Sequence, residues 1–139
     1  MDRTEGVTQM AVPDTGQTTA RQLYAAATGD GGDQPFELAA EVAENLAAAC
    51  DKLVEDLHRA MATGHLVTDV TGFPNLPTGQ GLSRGFSEKG RQYLDTLAAF
   101  QETALLFKAA YLAAGKRFAD AEAARKAALD LVAEHLAAR

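Results

Sequence analysis

The chain has 139 residues, a formal charge of −6, 47% hydrophobic residues and no tryptophan. That length bounds it at one ordinary domain, and the hydrophobic share is a globular one that excludes wholesale disorder. No basic stripe able to neutralise a row of phosphates occurs, so no nucleic-acid partner is expected.

Alanine supplies 29 of the residues and proline only 4. Alanine is the strongest helix former and lets backbones approach closely, so the composition points to long, tightly packed helices. The first 33 residues are expected to be a flexible tail. Within it TTARQLYAAAT, residues 18–28, has the pattern of a short helix that Leu23 and Tyr24 could dock. Gly29-Asp30-Gly31-Gly32-Asp33 then breaks the chain.

A first long helix is expected over about 34–64, with Asp33 as N-cap, Pro35 in the first turn and Gly64 as the stop. Val42, Leu46, Cys50, Leu53, Leu57 and Met61 recur at steps of four and three, which is one stripe of an amphipathic helix. From His65 to Leu82 the period stops, and prolines and glycines argue for a long ordered loop. Its Phe73, Leu76 and Leu82 are expected to fold back over the body.

A second long helix is expected over about 80–122. Phe86, Tyr93, Leu97, Phe100, Ala104, Phe107, Tyr111, Ala114 and Phe118 form a heptad-like seam along it. Gly115 is expected to bend this helix without ending it. Leu129, Val132 and Leu136 carry an apolar stripe onward, so the C-terminal segment either continues the helix or forms a separate one. The expected fold is thus all-α: an antiparallel hairpin of two long helices plus a C-terminal helical segment. Residues 36–66 carry six acids against two bases, and residues 83–122 six bases against five acids, an imbalance that would draw the two arms together.

No constellation carries chemistry. Glu55 and His58 make one E-x-x-H pair, but a di-metal bundle needs a second pair and further carboxylates, and neither His65 nor His135 has a glutamate three residues before it. Cys50 is the only cysteine and falls in an apolar helical stretch, while Ser83 and Ser87 lack a nucleophile motif. No catalytic residue, metal or cofactor is expected, and the chain reads as a non-enzymatic binding protein. Without a signal peptide or an apolar run of about 18 residues, cytoplasmic synthesis and no membrane insertion are expected.

FELAAEVAENLAAACDKL, the linker FPNLPTGQGLSRGF and the long helix after it resemble, over roughly residues 36–125, the small helical-hairpin substrates of type VII (ESX) secretion. The alanine-rich, actinobacterial type of composition agrees with that resemblance. It implies pairing with a second helical protein, or with a second copy, and export by a route that needs no signal peptide. The turn tryptophan of the family is missing, and Gly72-Phe73 is the nearest stand-in. The family's export signal, a tyrosine with an acid four residues on, is matched only in spacing by Phe118 and Glu122. The partner-binding residues expected on the second helix are Phe86, Tyr93, Leu97, Phe100, Phe107, Tyr111 and Phe118. The alternative is a cytoplasmic helical adaptor or chaperone-like subunit that is never exported.

Overall fold

The structure, a computed structural model, describes residues 12–29, 35–64, 72 and 76–138. The expectations for the tail before Val12, the Asp33 cap and the folding back of Phe73 lie outside these residues. The described residues form four helices: α1 (Gln17–Thr28), α2 (Ala40–Gly64), α3 (Pro77–Ala114) and α4 (Phe118–Ala137). Among them there is no strand, so the all-α expectation holds.

The helix α3 is the axis, and the other three helices pack on it. Of its six leucines, Leu94, Leu105, Leu106 and Leu112 are buried, and they are the only buried leucines among the described residues. The surrounding helices answer with alanines: Ala20 from α1, Ala43 and Ala47 from α2, and Ala121, Ala124 and Ala128 from α4. A methyl facing a leucine lets two backbones come close, so each contact depends on intimate packing more than on large buried side chains.

Partners along the helices set their directions. Asp51 pairs with Lys108 at 2.7 Å, the Gln101 amide donates to the Val54 carbonyl at 3.1 Å, and Glu44 pairs with Arg117, so α2 descends as α3 ascends. In α4, Ala121 sits with Ala113, Ala128 with Leu106, and His135 with Asp95 at 2.7 Å, which is again antiparallel. In α1, Gln17 bonds Glu102 while Tyr24 packs beside Leu112 and Ala113, so this helix runs parallel to α3. Lys108–Asp51, Lys116–Glu37 and Arg117–Glu44 each join a base of α3 or its C-terminal turn to an acid at or before α2, as the charge imbalance anticipates.

Three boundaries differ from the sequence expectation. The first long helix begins at Ala40, not near residue 34. Residues 35–39 instead cross the end of the bundle, where Phe36 N–H donates to the Ala26 carbonyl and Leu38 N–H to that of Ala114. Those bonds, and Phe36 packing edge-on to Tyr111 with ring centroids 6.4 Å apart, hold the segment out of a helix. The second long helix starts earlier, at Pro77, whose fixed φ and missing N–H suit a first turn. Leu82 and the GQGLSRG run are therefore helical.

The third difference is at the C-terminus of α3, which ends at Ala114 instead of running to residue 122. Lys116 adopts φ 66, its N–H bonds the Ala113 carbonyl and the Arg117 N–H bonds that of Leu112 at 2.8 Å. This is a Schellman stop with lysine in the left-handed position that glycine usually fills. Gly115, the residue before it, is needed for space: a Cβ there would stand 2.5 Å from the Ala43 Cβ. The C-terminal segment is thus a separate helix folded back along α3.

Two substitutions test this corner by urea unfolding. Gly115→Ala is expected to destabilise by about 1–3 kcal/mol through overpacking against Ala43. Lys116→Gly is expected to stabilise by up to about 1 kcal/mol by relieving the left-handed strain.

Candidate functional face

The helices α1, α2 and α4 occupy three sides of α3 and leave a fourth. The contact with α2 uses Gln101, Leu105, Lys108 and Leu112. At 100° per residue, Tyr93, Leu97, Phe100, Ala104, Phe107 and Tyr111 lie about a quarter turn from that contact. The seam read from the sequence is therefore real as a stripe, but it does not face α2.

The same displacement holds on α2. Its buried positions are Ala43 and Ala47, while Val42, Leu46, Leu53 and Leu57 lie beside them on a neighbouring stripe. Cys50 lies on the Tyr111 side, where burial and then the Cys50 thiol raise the tyrosine pKa, whereas Ala48 and Asp51 face α4 across a groove lined by Asp120 and Ala124. The two displaced stripes therefore adjoin and make one face spanning α2 and α3.

This face exposes large apolar groups. Val42 keeps 45% of its surface exposed, Leu53 48%, Tyr93 48% and Phe100 44%. Leu46, Leu57, Leu97, Phe107 and Tyr111 are half-buried. No charged residue falls on either stripe. Large apolar side chains sharing an uncharged two-helix surface are of the kind found at the centre of protein–protein contacts.

The expected partner-binding residues divide accordingly. Tyr93, Leu97 and Phe100 lie on the open face. Phe107 and Tyr111, rings 6.0 Å apart, close its end against Phe36. Phe86 lies on the same stripe further toward the start of α3, beyond the surrounding helices, and is exposed. Phe118 leaves the seam altogether. It is the first residue of α4 and is exposed at the corner, because the chain reverses at Lys116.

Glu122 follows one turn later. It accepts the Tyr24 hydroxyl at 2.8 Å and pairs with Arg125, whose guanidinium lies 4.6 Å over the Tyr24 ring. These three side chains bridge α1 and α4 at the surface. The hydroxyl bond, ahead of Arg125, holds the Glu122 carboxyl below the usual range, while burial and Glu122 raise Tyr24. Sequence reasoning missed this bridge, because residues 98 apart share no periodicity.

Elsewhere the polar chemistry is structural. Glu102 is buried on α3, where it accepts the Gln17 amide at 2.9 Å and meets Arg21 at 3.5 Å. Glu55 and His58 are both exposed on α2, and Glu55 pairs with Arg59. Among the described residues no three His, Cys, Asp or Glu side chains cluster as a metal site would require, and no helix is long and apolar enough to cross a membrane. No family model, curated protein or solved structure matches the chain.

The pH dependence of the bridge carries a definite sign. A carboxyl with a lowered pKa stabilises the fold above its ordinary value, and that contribution is lost as pH falls through the lowered one. Tyr24→Phe is thus expected to lower the urea midpoint at neutral pH and to converge with wild type in acid, below the carboxylate range. Cys50 provides a second test. Burial, then Asp51, pushes its thiol up to about 11. At pH 8 it is expected to hold on the order of a hundredfold less thiolate than an unperturbed cysteine, so alkylation is slow until urea unfolds the chain.

Proposed function

We propose that the protein is a non-enzymatic binding module in which α2 and α3 act as one helical hairpin whose open face takes a second helical protein. The observation that carries this reading is the displacement of both apolar stripes off their mutual contact and onto one uncharged surface, where Tyr93 and Phe100 are exposed. A partner helix laid along α3 would cover these rings and meet Leu53 and Leu57 at its side. The aromatic residues there are the type that dominates interface energetics. A hairpin that binds a helical partner is also what the resemblance to type VII substrates implies.

Export belongs to the same proposal in a narrower form. Phe118 and Glu122 stand one turn apart at the exposed start of α4, where a secretion machinery could read them. In a host with a type VII system, Phe118→Ala is expected to abolish appearance of the protein in the medium while leaving its cellular level unchanged. Secretion unaffected by that change would favour the non-exported adaptor.

The binding reading is tested by a photo-crosslinking amino acid placed at Phe100 and, as a control, at Lys126 on the outer side of α4. Illumination of living cells is expected to give a discrete adduct from position 100 and none from position 126. Equal adducts from both positions, or none from position 100, would sink the reading. The mass of the adduct identifies the occupant.

A further inference from the structure

The first half of α1 is held on α3 mainly by polar groups. Ala20 is the one buried apolar side chain of this helix, whereas α4 buries Ala121, Ala124 and Ala128. The buried Gln17 amide donates to Glu102 and to the Pro13 carbonyl, each at 2.9 Å, and its oxygen accepts the Thr15 N–H at 2.6 Å. The Thr15 and Thr103 hydroxyls lie 2.8 Å apart, and Arg21 meets Glu102 at 3.5 Å. Polar groups take water as a partner when they are uncovered, so parting them costs less than parting apolar surfaces. Thr103 also bonds the Ala99 carbonyl at 3.0 Å within α3, a contact that does not need α1.

The space beside α1 points the same way. Among the described residues a groove of about 690 Å³ separates Asp14, Gln17 and Arg21 from Asp95, Thr96 and Val132. A second opening of about 310 Å³ separates Ala20 and Tyr24 from Ala128 and Leu129. On its α4 side, α1 is therefore not closely packed. Its far end is anchored differently. Tyr24 and Ala27 rest on Leu112, Ala113 and Ala121, and the Ala26 carbonyl accepts the Phe36 N–H at 3.2 Å.

From this contrast between its two ends we infer that α1 is a releasable clasp. Its first half leaves α3 while α2, α3 and α4 stay packed, and the release uncovers Glu102, Thr103 and Leu106. Thr103 is three residues from Phe100 and four from Phe107, spacings that make neighbours on one side of a helix. The strip under α1 therefore borders the open face, and opening the clasp widens that face. Buried polar residues suit such a strip, because Glu102 and Thr103 can be hydrated where a row of leucines could not. The release itself does not rest on the binding reading above.

The test is native-state amide exchange followed by NMR on the full chain. A helix of 12 residues is marginal once detached, so its amides exchange when it leaves. The amides from Ala20 to Leu23 are expected to be about a hundredfold less protected than those of Leu105, Leu106 and Leu112. Glu102→Gln is expected to speed the α1 amides about tenfold and the α3 amides by less than about twofold. Arg21→Ala, at an exposed position, should act in the same direction. In a Cys50→Ala background, the thiol introduced by Thr103→Cys should be alkylated as fast as the α1 amides exchange. An α1 protected as well as the α3 core would overturn the proposal. So would variants that speed both sets of amides alike, or a thiol at 103 that reacts only as slowly as the α3 core exchanges. A clasp that opens in a protein giving no position-100 adduct in cells removes the binding reading alone. An adduct obtained with a closed α1 removes the clasp alone.

Discussion

The rest of the structure depends on leucines of α3 seated against alanines of its neighbours. Residues 94–114 are enclosed on three sides because Ala20, Ala43, Ala47, Ala121 and Ala128 let three backbones approach one helix closely. The arrangement is sensitive to volume. Where α2 meets the turn after α3, at Ala43 and Gly115, there is no room for one more methyl. Small contact residues also determine what happens to the large ones. A helix that packs through its alanines leaves its leucines and aromatics on a neighbouring stripe.

That consequence explains how much could be read from the sequence. Helical class and periodicity were legible, since alanine content and four-three spacing report local geometry directly. The heptad seam on α3 and the stripe on α2 both exist. Their partners were not legible, because a hydrophobicity pattern weights leucine and phenylalanine above alanine, while close packing here favours alanine. Ala43 and Ala47 define the contact of α2, yet neither stands out beside Val42 and Leu46. The corner at Lys116 was hidden for a related reason: the left-handed residue is a lysine, and the adjacent glycine serves clearance instead of conformation. The bridge among Tyr24, Glu122 and Arg125 joins distant parts of the chain and leaves no local trace.

Electrostatics follows a simpler rule and was more readable. The acids before and along α2 and the bases of α3 and its C-terminal turn find each other at Asp51–Lys108, Glu44–Arg117 and Glu37–Lys116. These pairs are largely exposed, so each contributes little to stability. Their effect is on register, because they lie on the side of α2 away from the aromatic stripe or at the end of the bundle. Charge is thereby kept off the open face. Hydrophobic and electrostatic patterning thus agree on the same division of the surface into a charged outside and one uncharged side.

The glycine-rich start of α3, residues 77–92, brings these constraints together. It holds Gly79, Gly81, Gly85 and Gly90, each costing a helix interior about 1 kcal/mol relative to alanine, and it extends past α1, α2 and α4. A helix of that length and composition is marginal alone and needs tertiary contact to persist. The body of α3 has the opposite difficulty, with strong helix formers and aromatic surface left over at Tyr93 and Phe100. Gly79 and Gly90 are nevertheless buried, so along this one helix the small residues again mark where it is covered and the large rings where it is left open.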